Sequence, residues 1–143
     1  MNLERHNNNS KYALDTNILV YALDIVDCMF PEIAIALITP EAYISNHVFQ
    51  EFLFQLHKAR RIEKRKTFKL ALKMLNIMKL SSVNKDTYRY AYHLMTKYGF
   101  QLSDSIIVSD AILNNCNILY SRDMQHNQKV DNKIIIINPF LLQ

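Results

Sequence analysis

With 143 residues, half of them apolar, the chain is long enough to bury a real hydrophobic core and is most simply one folded domain. Its single glycine, Gly99, excludes the G-x-G-x-x-G, Walker A and G-x-S-x-G motifs, and with them the common dinucleotide, P-loop and serine-hydrolase readings. The net charge of +4 permits an acidic partner without requiring one.

Cys28 and Cys116 belong to no C-x-x-C pair, so neither zinc nor a redox motif is indicated, and reduced, buried thiols of a cytoplasmic protein are expected. The start of the chain lacks the apolar centre of a signal peptide. The apolar runs at 33–38 and 134–137 are far too short to span a bilayer, so a soluble protein with no membrane partner is expected.

In chain order, residues 1–11 are polar and Asn-rich and read as a flexible segment before a single domain, 12–143. Residues 12–15 read as a short buried strand and 17–23 as a helix after it. Pro31 suits the first turn of a helix over 32–38, which Pro40 ends. A brief strand at 42–45 leads to Asn46, a candidate N-cap for a long helix. That helix places Val48, Phe49, Phe52, Leu53 and Leu56 on one face.

Between Lys58 and Lys73 the chain turns strongly basic, and Phe68, Leu72 and Leu75 lie at helical spacing within or just after the run. Such a run is commonly a solvated helix face, but its density equally suits a surface for phosphates or an acidic partner. Residues 80–83 read as a third strand, and 86–98 as a helix closed by Gly99. Ser103 can cap the next helix, 104–115. A strand at 118–121, a polar loop at 122–132 and a β-branched strand at 134–137 complete the chain. Strands alternating with helices predict an α/β domain with a parallel sheet.

Four carboxylates then fall at one topological position: Asp15 at the end of the first strand, Glu51 in the second turn of the helix after the second, Asp104 opening a helix, and Asp123 just past the strand at 118–121. In a parallel sheet, strand ends and the starts of the following helices share one edge, where open α/β sheets bind ligands. Four acids meeting there repel one another unless a cation neutralises them, and all-oxygen ligands suit Mg²⁺ or Mn²⁺ rather than zinc.

Each acid also has a plainer reading, and Asp123, in a polar loop, is uninformative by itself. Asp15-Thr16-Asn17 is good turn chemistry, Glu51 alone is a solvated helix-edge acid, and Asp104 suits a helix N-terminus. Asp104, however, heads an apolar stripe through Ile107, Val108 and Ala111, a costly place for an unpartnered charge. Thr16 and Ser121 can hydrogen-bond the acids or a metal-bound water. His126 has two readings, substrate contact and organisation of its own loop. Asp24, Asp27, Asp86 and Asp131 read as surface or capping acids, and Asp110 stays outside the site.

With the acids in order, the chain resembles the PIN domain family, and within it the VapC-type toxin ribonucleases of type II toxin–antitoxin systems. The resemblance runs through Leu14-Asp15-Thr16-Asn17-Ile18-Leu19-Val20-Tyr21-Ala22, the stretch from Ile44-Ser45 to Glu51-Phe52, Tyr98-Gly99 through Ser103-Asp104-Ser105-Ile106-Ile107-Val108, and Leu119-Tyr120-Ser121-Arg122-Asp123-Met124-Gln125-His126. Ser103 stands where a Trp commonly precedes the third acid, Arg122 where many relatives have an acid, and Asn127 where a Gly is frequent; Asn is the next best residue for a left-handed turn.

The resemblance implies a three-layer PIN-like domain with a central, mostly parallel twisted β-sheet flanked by helices. It further implies an endoribonuclease using one or two Mg²⁺ or Mn²⁺ ions, an RNA substrate, a cognate antitoxin and a homodimer. Asp15 and Asp104 are then the principal metal ligands, Glu51 and Asp123 complete the site, and Asn17 and Ser121 support it. A PIN-like module that binds RNA or protein without cutting is the alternative. A phosphatase with Asp15 as nucleophile is disfavoured because Asn17 occupies the second acid position of Asp-x-Asp.

Overall fold

The computed structural model describes residues 10–23, 30–59 and 63–141. Most of the segment expected to be flexible, together with Asp24, Asp27 and Cys28, lies outside them. The first strand, β1 (Tyr12–Leu14), runs into α1 (Thr16–Ala22), then α2 (Pro31–Leu37) and β2 (Ala42–Ser45). Next come α3 (Asn46–Lys58), α4 (Lys64–Ile77) and β3 (Lys79–Ser81). The second half holds α5 (Lys85–Tyr98), α6 (Leu102–Leu113), β4 (Ile118–Tyr120), β5 (Lys129–Val130), β6 (Ile134–Ile137) and a 3-10 turn at Pro139–Leu141.

The strands form one sheet in the order β3-β2-β1-β4-β6-β5, parallel except for the β5–β6 pair. From β1 the chain steps outward to β2 and β3, then reverses to enter β4 on the other side of β1. Right-handed crossovers therefore place α1–α4 on one face and α5–α6 on the other, a three-layer α/β arrangement. The reversal between β1 and β4 is the topological switch point, and ligands bind at such a point beyond the strand ends.

Burial explains most of the elements. Strand β4 is buried throughout between β1 and β6, which suits Ile118, Leu119 and Tyr120. Helix α6 is buried continuously from Ser105 to Ile112, so it is a central helix rather than a surface one with a single apolar stripe. Helix α5 starts with a capping box, Asn84 accepting from the Asp86 and Thr87 N–H groups while the Thr87 hydroxyl accepts from the Asn84 N–H. It ends at Gly99, whose φ of 71° matches the expected left-handed C′ residue. A Cβ there would meet nothing within 4 Å, so the backbone conformation alone favours glycine.

Four local expectations are corrected. Ser45, not Asn46, caps α3: its hydroxyl accepts from the Val48 N–H at 3.0 Å, because strand passes into helix with no loop. Asn46 instead accepts from the Val83 N–H. Ser103 does not cap α6; it lies within the first turn, after a Gln101 cap that makes no side-chain bond. Helix α4 turns Thr67, Ala71 and Met74 inward and leaves Phe68 and Leu72 about half exposed, at 49% and 42%. Small residues there let α4 approach its neighbours closely. Finally, the expected polar loop 122–132 contains β5 and a tight turn in which Asp131 and Asn132 both have positive φ, closed by the Lys133 N–H donating to the Val130 carbonyl at 3.0 Å.

Among the described residues no helix is long and apolar enough to cross a membrane. Cys116 is a free, buried thiol, and burial pushes its pKa up to about 12.

Candidate active site

Asp15 directly follows β1, and its N–H donates to the Tyr120 carbonyl at 3.0 Å, which continues the β1–β4 ladder to the switch point. Its side chain caps α1 by accepting from the Thr16 N–H at 2.7 Å, and its other oxygen accepts from the Ser121 hydroxyl at 2.7 Å. The residue is almost fully buried. Burial is the main cause that lifts its pKa to about 6, with the charges of Asp104 and Glu51 adding to it and the two hydrogen bonds opposing it.

Thr16 joins two of the acids. While its N–H serves Asp15, its hydroxyl donates to Glu51 Oε2 at 2.6 Å. Glu51 Oε1 accepts from the Ser103 hydroxyl and lies 3.3 Å from His47 Nε2, which also sits 2.9 Å from Ser103 Oγ. His47 is the largest cause holding the Glu51 carboxyl down at about 2, with Ser103 and Thr16 next among those that lower it. Glu51 is therefore ionised, and its orientation is set from three sides.

Asp123 follows β4 on the exposed rim and accepts from the Asn17 side-chain amide. Next to it, the Arg122 guanidinium lies 5.0 Å from the Tyr21 ring centroid and donates to the Tyr21 hydroxyl. Asn17 and Tyr21 are four residues apart on α1, so one helix face receives the whole segment after β4. Asp104 is half-buried in the first turn of α6, and its side chain makes no hydrogen bond among the described residues. Burial first, then the charges of Glu51 and Asp123, raise its pKa.

The four acids expected from the sequence thus stand at one edge and interact electrostatically, with Thr16 bonded to both Asp15 and Glu51, Asn17 to Asp123 and Ser121 to Asp15. Among the described residues no three acids, histidines or cysteines stand close enough, as placed, to hold an ion. In donor chemistry, however, the group fits a hard dication: it is all oxygen, and Asp15 and Asp104 both carry raised pKa values that an added positive charge would relieve.

His47 and the true use of Ser103 were not anticipated. His47 lies one helical turn before Glu51, a spacing visible in the sequence, whereas Ser103 reaches Glu51 only through the packing of α6 against α3. His126 Nδ1 accepts from the Asn138 N–H at 3.0 Å, which organises its loop. Asn127 has a φ of 64°, the left-handed conformation expected of it. Asp110 is buried, takes a hydrogen bond from Ser81, and ties α6 to β3. A cleft of about 440 Å³ lined by Ile112, Leu113, Asn115, Cys116 and Lys133 lies at the opposite end of α6 from Asp104, so this hollow is not where the acids gather.

A search of curated protein sequences finds no match. Among solved structures the chain resembles a toxin–antitoxin complex from Klebsiella pneumoniae, with 20% identity and a TM-score of 0.68 over 90% of this chain and 97% of that one. It also resembles VapBC2 of Rickettsia felis bound to a promoter DNA fragment, at 22% identity and a TM-score of 0.66 over 87% and 96% of the two chains. VapC20 of Mycobacterium tuberculosis, a toxin that cleaves the Sarcin-Ricin loop, matches at 18% identity with a TM-score of 0.63, over 78% of this chain and 89% of that one. At these identities the likeness is one of fold. The sequence model of the PIN domain matches residues 12–131, from the strand that delivers Asp15 to the turn at Asp131, and this chain therefore belongs to the PIN domain family.

Proposed function

We propose that the protein is a metal-dependent endoribonuclease that hydrolyses RNA phosphodiester bonds and acts in the cytoplasm as the toxin of a toxin–antitoxin pair. The observation that carries this reading is the gathering of Asp15, Glu51, Asp104 and Asp123 at the β1/β4 switch point, with the carboxyls of Asp15 and Asp104 raised by burial and mutual charge. The toxin assignment, with a cognate antitoxin and a homodimeric state, draws on family membership and on the toxin–antitoxin complexes that share the fold.

Asp15 and Asp104 would hold Mg²⁺ or Mn²⁺, with Glu51 and Asp123 completing the set. One or two such ions would supply activation of water and neutralisation of charge on the scissile phosphate. The chain's own residues fix the carboxylates. Ser121 and the Thr16 N–H orient Asp15; Thr16, Ser103 and His47 keep Glu51 ionised and directed inward; Asn17 holds Asp123 against α1. Glu51, held in its charged form, is suited to accept a hydrogen bond from the attacking water and align it.

Structured cellular RNA incubated with the protein and Mg²⁺ or Mn²⁺ tests the reading. Discrete internal cleavage that stops with EDTA and with Asp104→Asn is expected. Cleavage that persists in chelator would overturn the mechanism. Retained RNA binding with no cleavage under any metal would instead favour a non-catalytic binding module.

A further inference from the structure

The four-acid rim poses an electrostatic difficulty for any RNA that approaches it, because the substrate and the site carry the same sign of charge. Residues 58–73 hold eight of the chain's 17 Lys and Arg but only one of its 13 Asp and Glu. That is +7 in this stretch, leaving −3 over the rest of the chain. Much of this charge rides on α4, where Lys64, Arg65, Lys66, Lys69 and Lys73 are all exposed. None of the five forms an ion pair among the described residues, whereas Lys79, Arg89 and Lys97 each do.

This arrangement works against the helix itself. Cations at Lys64, Arg65 and Lys66 crowd the positive end of the helix dipole, and Glu63, the N-cap, makes no side-chain bond. The pairs Arg65/Lys69 and Lys69/Lys73 set like charges at i, i+4, each mildly destabilising. The buried residues Thr67, Ala71 and Met74 fix the inward face, and by helical periodicity Arg65, Lys69 and Lys73 form a row on the opposite side, with half-exposed Phe68 flanking it. Helix α4 packs on α3, the helix that carries Glu51, so the row rides on an element next to one that supplies an acid.

We propose that the outer face of α4 is a docking surface for the RNA phosphate backbone, with Arg65, Lys69 and Lys73 as the contacting row and Phe68 beside it as a stacking platform for a base. It rests on the nuclease reading for the identity of the anion as substrate. The charge row attracts the polyanion and offsets the repulsion of the acidic rim, as in other electrostatic funnels for nucleic acid. RNA is favoured over an acidic protein segment because the acidic rim itself requires compensation for an anionic substrate.

The test compares the full-length protein with Arg65→Gln/Lys69→Gln/Lys73→Gln and with the charge-preserving Lys69→Arg/Lys73→Arg. Binding of a labelled RNA hairpin with single-stranded flanks is measured in EDTA over a salt series, and cleavage is measured separately in Mg²⁺. The triple variant is expected to keep its fold by circular dichroism and to lower the slope of log K against log[salt] by about 2, close to 0.7 per lost phosphate contact. In Mg²⁺ its KM should rise roughly ten-fold with kcat unchanged, the mark of lost uniform binding. The charge-preserving variant should behave as wild type. An unchanged slope and KM in a protein that cleaves RNA would overturn the docking surface and leave the nuclease reading intact. A lowered slope in a protein that never cleaves would leave the RNA surface and remove the nuclease. Wild-type RNA binding by the triple variant, with loss of binding to a Leu-containing polyglutamate peptide, would overturn the proposal and assign the face to a protein partner.

Discussion

Asp15 and Asp131 are both partly or fully buried acids close to strand ends, and the fold treats them in opposite ways. Asp131, in the β5–β6 turn, accepts from the Tyr90 and Tyr98 hydroxyls and pairs with Lys97 at 2.9 Å and with His93 at 3.2 Å. Those hydroxyl and Lys97 hydrogen bonds outweigh its burial and hold its carboxyl well below the usual range. Asp15 has two hydrogen bonds, two acids nearby and a raised pKa. An acid satisfied by the protein's own donors is a fastening. An acid left short of positive charge at a switch point is where an external cation contributes most.

The largest effect that can break this comparison is on catalysis. Asp15→Asn should reduce RNA cleavage more than about 100-fold, since even the outer partners of metal ligands are worth roughly 10–100-fold. It should also abolish any Mg²⁺-induced rise in Tm. Asp131→Asn should leave both intact, and a loss of cleavage in a folded Asp131→Asn protein would erase the distinction.

The second effect is on pH dependence, measured by thermal unfolding in EDTA. Asp15 holds its proton more tightly in the fold, at about 6, than free at 3.8, so its contribution to stability is fullest below about pH 4 and is lost as pH rises through about 6. The swing is on the order of 3 kcal/mol. Asp15→Asn should flatten that window and raise the Tm of the ion-free protein at neutral pH. Asp131 works the other way, since its contribution is present above the ordinary Asp value and is lost as pH falls below it.

Next in size, Asp131→Asn should lower stability by about 2 kcal/mol at neutral pH, the scale of hydrogen bonds to a charged group. Chemical denaturation reads this directly, and the left-handed backbone at φ 51° tolerates Asn, so the loss of the charge and of one acceptor oxygen is tested without backbone strain. The smallest expected effect is at Glu51. His47→Ala should lower kcat about ten-fold, in the range of lost outer-sphere partners, with KM little changed. His47→Gln, which retains a donor, should recover part of the loss. Unchanged kcat in His47→Ala would show that Thr16 and Ser103 suffice to place Glu51.

Much of this molecule was legible before its structure. The alternation of apolar runs with amphipathic ones foretold the α/β layers, because burial on both faces of a parallel strand leaves a readable mark. The four carboxylates were legible for a related reason: each comes within three residues of a strand end or lies in the first turns of a helix, positions that a parallel sheet brings to one edge. The exclusion of glycine-dependent motifs needed only composition. The left-handed turns at Gly99 and Asn127 followed from side-chain sterics that act within a residue or two.

Tertiary structure decided the rest, wherever the determining partner is distant in the chain. Asp131 looks like a surface acid until α5 brings Tyr90, Tyr98 and Lys97 to it from more than thirty residues away. Ser103 looks like a helix cap until α3 presents Glu51. Strand β5, two residues long, carries no periodicity of its own and exists because β6 pairs with it. The inward face of α4 was chosen by close packing at Thr67 and Ala71 rather than by its largest apolar residues, Phe68 and Leu72. Local sterics and apolar periodicity are written into neighbouring residues and can be read there. Hydrogen-bond partners and packing faces depend on which surfaces the fold brings together, and only the assembled layers supply them.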